Sequence, residues 1–429
     1  MASPVEVIPS ASRLIRSLRD MGYDFSQAIA DLVDNSLNAS ASKIDVDMVF
    51  DGDDSWVQIA DNGSGMNPEA LREAMRYGSA QEYGEDDLGK FGLGLKTASM
   101  SQAQRLVVAS RWNRGRADIC SYSWDLDHVK KTDRWEILPV ERSELPGQMS
   151  GLLKEGRGTI VYWQRLDRIL GFKHPYGESA RKRLSQMCRD LEHHLGMVFH
   201  RFLSRDHRRV RMSVNGNEVR EWDPFCRSEP KATPHQPRSF PVDYEGVQGE
   251  VTLEPFILPH QSDFSSQDAF RAAAGPAGWN QQQGFYFYRA NRMVQSGGWS
   301  NLRAPDEHTK LARIAVRFSP RLDDAFKINV AKMRVQLPAQ IREDVKAFLA
   351  PLTKLARQVY DRRENNGHRE GTTDSSTATG TTRNRQSTGN ARESDSRLTL
   401  HQWSAKMRRV AHVSERPVVE RVLRRLADE

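Results

Sequence analysis

The sequence predicts an α+β protein, in which helices pack on one face of a mixed sheet and a second, smaller α+β unit follows. Residues 11–39 place apolar side chains such as Leu14, Ile15 and Leu18 at helical spacing. Residues 43–50 and 56–60 alternate between apolar and polar side chains, as paired strands do. Helical and strand-like segments continue to mix up to residue 360, which favours layers of helix on sheet.

The first unit is predicted to span residues 1–170. A turn at 22–24 divides its first two helices, and the strand pair that follows turns at 51–54. Next come a helix at 68–77, a glycine-rich loop through Gly94, and strands at 105–110, 119–124 and 158–164. A helix at 177–202 is predicted to open the second unit, residues 171–362. That unit continues with strands at 210–214, 249–253, 285–289 and 312–318 and a helix at 338–360.

The last part of the chain differs in composition. Residues 363–397 are rich in Asn, Thr, Ser, Gly and Arg and have almost no large apolar side chains, so they predict a flexible linker. Residues 398–429 predict an amphipathic helical tail. Its apolar side chains at helical spacing are Val418, Val419, Val422, Leu423 and Leu426. The tail is a candidate site for an unidentified protein partner.

Composition excludes several protein classes. The 429 residues are 38% hydrophobic, which supports ordinary buried cores. No run of about 18 apolar residues predicts a membrane helix, and the N-terminus lacks an apolar stretch of signal-peptide length. Three scattered cysteines are too few for a disulfide framework or a metal cluster. These features predict a cytoplasmic protein with reduced thiols and no membrane association.

Charge is divided unevenly along the chain. Residues 1–110 hold 9 Lys/Arg and 17 Asp/Glu, a net charge of −8, whereas the whole chain carries +7, so residues 111–429 carry +15. A basic distal part favours an acidic partner, of which nucleic acid is the commonest, although a solvated basic surface is the alternative.

One helix carries a carboxylate and an amide in a suggestive arrangement. Asp31 and Asn35 are four residues apart within the predicted second helix, so they share one face. A carboxylate there can orient and deprotonate water, and an amide oxygen can bind Mg²⁺. On its own this pattern is also that of a polar helix face without chemistry.

Two glycine-containing segments follow. Asp61 directly follows a predicted strand and precedes Gly63, Gly65 and Met66. A carboxylate at this position can accept a hydrogen bond from the amine of a base, although a plain Asn-Gly turn has the same sequence. Further on, a glycine-rich loop precedes a helix and can cradle an anion with its N–H groups. Its candidate residues are Gly89, Lys90, Phe91, Gly92, Leu93, Gly94 and Lys96. The loop matches neither the Walker nor the Rossmann pattern.

These three segments, in this order and about thirty residues apart, resemble the N-box, the first glycine box and the lid glycine box of the GHKL ATPases. That superfamily includes gyrase B, heat-shock chaperones, histidine kinases and MutL. Gly158 and Thr159 resemble the family's Gly-Thr strand. The resemblance implies a Bergerat α/β sandwich that binds ATP and Mg²⁺.

The resemblance also implies roles. Asp61 would bind the adenine amine, assisted by Thr159 through a water, with Gly63, Gly65 and Met66 shaping the pocket. Asn35 would hold Mg²⁺, and residues 89–96 would wrap the phosphates at the base of a lid formed by residues 67–87. Asp31 would be the general base.

Asp31 departs from the pattern, because the ATP-hydrolysing members usually have glutamate there. Aspartate is shorter by roughly 1.5 Å. A displacement of about 1 Å in a catalytic group can cost on the order of 100-fold in rate, so the sequence predicts weak turnover.

The second unit resembles the ribosomal-protein-like transducer domain of the MutL, gyrase and MORC branch, and most of all that of prokaryotic MORC-like proteins. The resemblance rests on residues 285–292, 297–299 and 327–333. It implies that Lys332 reaches the γ-phosphate and acts as a second catalytic residue.

The leading expectation is therefore a Mg-ATP-binding, slowly hydrolysing clamp or switch that dimerises on ATP binding and acts on DNA in repair, restriction or anti-phage defence. A basic cluster supports the DNA contact, namely Arg201, Arg205, Arg208, Arg209 and Arg211. One alternative is a non-hydrolysing, ATP-stabilised scaffold that recruits a partner protein. A chaperone-like ATPase is a less favoured one.

Overall fold

The fold was analysed in a computed structural model, which describes residues 7–20, 23–78, 94–113, 119–146, 149, 153, 156–204, 210–328 and 335–361. The predicted linker and tail, Lys332 and most of the glycine-rich loop lie outside these residues. The helices are α1 (Ala11–Arg19), α2 (Phe25–Asn38), α3 (Pro68–Met75), α4 (Gly94–Gln102), α5 (Leu126–Thr132), α6 (Glu178–Val198), α7 (His200–Leu203), α8 (Gln267–Ala273), α9 (Gly278–Gln281) and α10 (Arg342–Asp361).

The strands form two sheets. The strands of the first sheet are β1 (Lys43–Val49), β2 (Trp56–Asp61), β3 (Arg105–Arg111), β4 (Ile119–Asp125), β5 (Leu138–Pro139), β6 (Gly158–Gln164), β7 (Arg211–Val214) and β8 (Asn217–Glu218). Those of the second are β9 (Thr233–Pro234), β10 (Arg238–Tyr244), β11 (Val247–Ile257), β12 (Gly284–Arg289), β13 (Arg292–Ser296) and β14 (Ala312–Phe318). The predicted α+β class is confirmed.

The first sheet is mixed and has the order β5-β4-β3-β6-β2-β1-β7-β8. Its strands pair antiparallel, except that β1 and β7 run parallel. The main core lies between one face of this sheet and the helices, where Ile59 and Trp163 meet Ile29 and Val33 of α2. Their strand neighbours point the other way and form a smaller cluster, with Ala60, Ile160 and Tyr162 among its members.

Helix α6 covers α2 and completes this core. Its buried residues include Leu184, Met187, Leu191 and Leu195, which follow one another at intervals of three or four and therefore line one face. They join the same cluster as α2 and the first sheet. The sheet thus continues through β8, beyond residue 170, where the sequence placed the end of the first unit. The pairing of β7 with β1 causes this difference.

The second sheet has the order β10-β11-β14-β12-β13, and β9 pairs with β11. Helix α10 packs on it through Val345, Leu349 and Ala356. A tight turn joins β12 to β13, and its two residues, Ala290 and Asn291, have φ angles of 46° and 66°. Both angles are left-handed, as in the type I′ turns that suit the twist of a hairpin. The turn places Arg292 at the first position of β13.

The structure also bears on the cysteines and on membrane-spanning helices. Cys120, Cys188 and Cys226 are all described and all free. In the described part of the chain, none of the helices is both long enough and apolar enough to cross a membrane.

Candidate nucleotide site

Helix α2 and the end of β2 bring two of the predicted segments together. Asp24 caps α2 by accepting a hydrogen bond from the Gln27 amide at 2.9 Å, which fixes where the helix begins. One turn from the other end of α2, the Ser36 hydroxyl donates to Asp61 Oδ2 at 3.0 Å. The carboxylate of Asp61, the last residue of β2, is therefore held directly by the helix that carries Asp31 and Asn35.

Asp61 lies in a setting suited to an ionised acceptor. The Gly63 amide donates to its Oδ1 at 2.8 Å, in addition to the Ser36 contact. Burial raises the pKa of Asp61, while hydrogen bonds from Gly63, Ser36 and the Thr159 backbone counteract the rise. A half-buried carboxylate with these donors can present its remaining lone pairs to an amine, and this is the chemistry expected of an adenine-recognition residue.

Glycine is required beside Asp61 for two different reasons. A Cβ on Gly63 would lie 2.8 Å from Ala39 and 2.9 Å from Asp61 Oδ1, so a side chain there would crowd the carboxylate. Gly65 has a φ of +70°, and a Cβ on it would lie 2.0 Å from the Arg111 carbonyl oxygen. The loop after β2 therefore packs against the end of β3 without room for a side chain.

Gly65→Ala is expected to destabilise the fold by roughly 2–3 kcal/mol, because alanine is strained at a left-handed φ and its Cβ would also clash with the Arg111 backbone. Gly78→Ala is the matched control, because Gly78 has a φ of +69° and a Cβ on it would have no neighbour within 4 Å among the described residues. The control should cost only about 1 kcal/mol. Urea unfolding of both variants measures the difference, and equal costs would show that close packing at Gly65 contributes nothing.

Ser110 connects Thr159 to the loop after β2. Ser110 Oγ lies 2.9 Å from Thr159 Oγ1, donates to the Gly158 carbonyl at 3.1 Å and accepts a hydrogen bond from the Met66 amide at 2.8 Å. The register of β3 and β6, which sets Ser110 opposite Thr159, creates this arrangement. Thr159, Met66 and the adjoining glycines are thus brought together, and their predicted contacts with adenine remain predictions.

Asn35 and Asp31 share a face of α2 but differ in exposure. Asn35 is exposed, so its amide oxygen is accessible, whereas Asp31 is only 4% exposed. Asp31 accepts hydrogen bonds from the Tyr23 hydroxyl at 3.0 Å and from Gln27 Nε2 at 3.4 Å. Asp31 also contacts Arg292 of β13, whose Nη2 lies 3.4 Å from Asp31 Oδ1. The predicted base is thus surrounded by Tyr23 and Gln27, which lie in the part of the chain that packs on the first sheet, and by Arg292 of the second sheet.

The glycine-rich loop is represented only by its last residues. Gly94 begins α4, and Gly89, Lys90, Phe91, Gly92 and Leu93 lie outside the described residues. Lys96 is 2% exposed, and its Nζ donates to the Ala74 carbonyl at 3.0 Å. Burial lowers the pKa of Lys96 to about 8, which the Glu73 carboxylate counteracts. In this structure Lys96 ties α4 to the end of α3, and its contact with phosphate remains a prediction.

Most of the predicted basic cluster lies outside the described residues, but two of its members do not. Arg201 is 8% exposed and stacks on the Tyr288 ring, with its guanidinium carbon 3.7 Å from the ring centroid. Its Nη1 also donates to Asn291 Oδ1 at 3.3 Å. Arg201 therefore joins the second sheet to α7 and is not available as a surface contact, whereas Arg211 is exposed on β7. Arg205, Arg208 and Arg209 are outside the described part.

Comparison with known proteins agrees with this geometry. Residues 23–159 match the family model described as histidine kinase-, DNA gyrase B-, and HSP90-like ATPase. The N-terminal part of this chain is a GHKL-type ATPase domain. The match covers α2, the loop after β2 and the Gly158-Thr159 strand start, so it includes the segments that carry the site.

Curated relatives are similar to a part of this chain. Protein MICRORCHIDIA 4 of Arabidopsis thaliana is 39% identical over 90 residues, which are 20% of this chain and 11% of that protein. Protein MICRORCHIDIA 7 of the same plant is 37% identical over 90 residues, 20% of this chain and 13% of that protein. The DNA mismatch repair protein MutL of Shewanella oneidensis is 37% identical over 91 residues, 20% of this chain and 14% of MutL. The predicted resemblance to MORC and MutL proteins is confirmed, and the matched part is a small fraction of each relative's length.

Three residues with clear contacts in the site escaped the sequence reasoning. Ser36 lies within the first motif, but its role depends on the packing of α2 against β2. Ser110 is a small polar residue at the end of an apolar strand, a weak signal that becomes informative only with the strand register. Arg292 is separated from Asp31 by 261 residues, and no local pattern indicates their contact.

Proposed function

We propose that this chain binds Mg-ATP, hydrolyses it slowly, and uses the nucleotide cycle to work a dimeric clamp or switch on DNA. The observation that carries the nucleotide half is the Asp61 carboxylate, held by Gly63 and Ser36 within a region that matches GHKL ATPases. In this proposal Asp61 accepts a hydrogen bond from the adenine amine, and Gly63, Gly65, Met66 and Thr159 form the pocket around the base.

The residues on α2 fit Mg²⁺ bound through a nucleotide. Asn35 offers an exposed amide oxygen, a ligand type that Mg²⁺ accepts. Among the residues that the structure describes, there is no cluster of three or more His, Cys, Asp or Glu side chains suited to a metal ion. Mg²⁺ commonly relies on substrate phosphates and water for its remaining ligands, and when bound it would neutralise phosphate charge. Asn35 would hold the ion from the protein side.

Asp31 is proposed as the base, with Lys332 as a cation for the γ-phosphate; Lys332 lies outside the described residues. Hydrogen bonds from Tyr23 and Gln27 fix the direction in which the Asp31 carboxylate points. Its near-complete burial keeps bulk water away. We therefore expect slow turnover, because an attacking water has limited access to the base.

The same burial favours the second candidate, a non-hydrolysing scaffold in which ATP only stabilises a conformation that recruits a protein. In that case Asp31 would serve as a structural partner of Arg292. The two functions differ in one measurable respect: turnover that depends on Asp31 is required by the first and absent in the second.

The DNA half of the proposal rests on relatives and on charge. MutL is by its name a DNA mismatch repair protein, and similarity to it motivates a role on DNA. On the outer face of α6, the residues that line an open groove of about 700 Å³ include Arg181, Lys182, Arg183 and Arg189, together with Phe172 and the acidic Glu178. All four cations are exposed. Such a row can contact successive phosphates, and we propose it as the DNA-facing surface in place of Arg201.

Reversing two of these charges is expected to weaken DNA binding by at least about 10-fold at low salt, because two phosphate contacts become repulsive. The variant is Arg181→Glu/Arg183→Glu. The slope of log K against log salt should also fall in magnitude by about 2, since roughly 0.9 counterions are released per phosphate contact. Fluorescence anisotropy with a labelled duplex over a salt series measures both quantities.

Lys346→Glu/Lys354→Glu is the matched control, because it makes the same charge change at two exposed lysines of α10. It should leave the salt slope nearly unchanged. If both double variants bind DNA equally well, the groove on α6 is not the DNA surface. If the wild type shows no salt-sensitive affinity for DNA, the clamp hypothesis fails and the scaffold takes its place.

A further inference from the structure

A buried cation from the second sheet lies against the helix of the nucleotide site. Arg292 begins β13, directly after the left-handed Ala290-Asn291 turn. Its side chain is 2% exposed. The guanidinium reaches α2, where Nε lies 2.8 Å from Asp34 Oδ1 and Nη2 lies 3.4 Å from Asp31 Oδ1. One arginine thus contacts two carboxylates that are three residues apart on the same helix.

This contact balances charges that are otherwise costly to bury. Asp31 and Asp34 are 4% and 1% exposed, and two neighbouring buried carboxylates require a cation. His194 of α6 lies close by, but burial and the charge of Arg292 lower its pKa to about 4, so it stays neutral near pH 7. Phe199 covers the other side of the guanidinium, with 5.8 Å between the ring centroid and the guanidinium carbon. Arg292 therefore supplies positive charge in a dry setting.

The contact also determines where Asp31 points. Tyr23 donates to its Oδ2 and Gln27 to its Oδ1, and Arg292 donates to Oδ1 from the second sheet. The adenine-side residue Asp61 is held by different groups, Gly63 and Ser36. A change at Arg292 should thus affect the orientation of Asp31 and leave adenine recognition intact.

From this geometry we infer that Arg292 is a positioning residue for hydrolysis, through which the second sheet controls the orientation of the base Asp31. The inference rests on the proposed ATPase activity. A displacement of the β12–β13 hairpin relative to α2 would move Arg292 and thereby change the rate of the chemical step. Nucleotide affinity would change little, because Arg292 does not contact the groups that hold Asp61.

The test compares Arg292→Gln, Arg292→Lys and a matched control, Arg289→Gln. Arg289 lies in the same hairpin and is equally buried, but its Nε pairs with Asp323 at 2.9 Å within the second sheet's region. Its loss should therefore disturb the hairpin without releasing Asp31. Arg292→Gln is expected to lower kcat about 30-fold, in line with the sensitivity of catalysis to small displacements of a catalytic group. ATP affinity should stay within about 2-fold, because a group acting only on the chemical step changes kcat and not binding.

Arg292→Lys, the conservative variant, is expected to restore part of the lost kcat. Arg292→Lys keeps the charge but replaces the planar fork with a single ammonium group, so kcat should lie between those of Arg292→Gln and the wild type. Arg289→Gln should leave kcat within about 2-fold. Equal losses of kcat in Arg292→Gln and Arg289→Gln would overturn the inference, because a general weakening of the hairpin would then explain both.

A second measurement does not depend on turnover. Thermal unfolding of Arg292→Gln, Asp31→Asn and the double variant tests whether the two side chains act as a pair. We expect the melting temperature of the double variant to lie clearly above the value obtained by adding the shifts of the two single variants. Each single substitution leaves the other side chain of the pair buried without this contact, and that cost is not incurred twice in the double variant. Additive shifts would overturn the inference. If the wild type shows no ATP turnover, the proposed ATPase activity is wrong. Non-additive melting shifts for Arg292→Gln and Asp31→Asn would then assign Arg292 a structural role.

Discussion

Asp61→Asn is expected to abolish ATP binding at physiological concentrations while the protein stays folded. The substitution replaces one acceptor oxygen with an NH₂ group, which cannot accept a hydrogen bond from the adenine amine. It also removes the charge that the Gly63 amide and the Ser36 hydroxyl now support. A site built to pair a polar group rejects a mismatch strongly, so we expect Kd to rise on the order of 10²–10³-fold.

Isothermal titration calorimetry with Mg-ATP measures this loss. Asp47→Asn is the matched control, since Asp47 is a half-buried carboxylate on the neighbouring strand β1, away from the loop after β2. The control should bind ATP like the wild type. If Asp61→Asn binds ATP normally, Asp61 does not recognise the base and the assignment of the pocket is wrong.

Asp31→Asn is expected to lower kcat on the order of 10²–10³-fold, with ATP affinity within about 3-fold of the wild type, as the loss of a general base predicts. Asparagine has nearly the same shape, and Asp34 remains as a partner for Arg292. The variant should therefore fold. Steady-state phosphate release, together with a binding titration, separates loss of chemistry from loss of nucleotide.

Asp31→Glu sharpens this test. It keeps the carboxylate and restores the length usual in hydrolysing GHKL proteins, so it should retain far more turnover than Asp31→Asn. A wild type whose turnover equals that of Asp31→Asn would show that Asp31 is not the base. ATP binding without any Asp31-dependent turnover would favour the scaffold.

Local patterns were enough to bring the residues of the candidate site together, because these residues belong to short segments. Asp31 and Asn35 share a helix turn, and Asp61 and Gly63 share a strand end, so sequence spacing alone places them relative to each other. The strand 158–164 has the predicted bounds, and β3 and β4 differ from prediction by one residue at one end. The contacts that no segment contains, Ser110 with Thr159 and Arg292 with Asp31, depend on sheet register and on the docking of the second sheet.

Three strands of the second sheet were missed, the two-residue β9 among them, and the omission of the other two has physical reasons. Strand β10 contains Pro241, a residue that weakens a strand prediction, and the strand lies at the edge of its sheet, where proline is tolerated. Strand β13 follows β12 after a two-residue turn of Ala290 and Asn291, which lacks the glycine that usually indicates a hairpin. In both places tertiary context allows a sequence that local rules disfavour.

The pairing of β7 with β1 has a consequence for how the chain can be divided. An N-terminal fragment that ended at residue 170 would leave β1 as a bare sheet edge, with a row of N–H and C=O groups open to another chain. The same cut would uncover the side of α2 that Leu184, Met187 and Leu191 of α6 now shield. Both surfaces promote aggregation. The smallest fragment that keeps the first sheet whole therefore runs through Glu218, about fifty residues beyond residue 170.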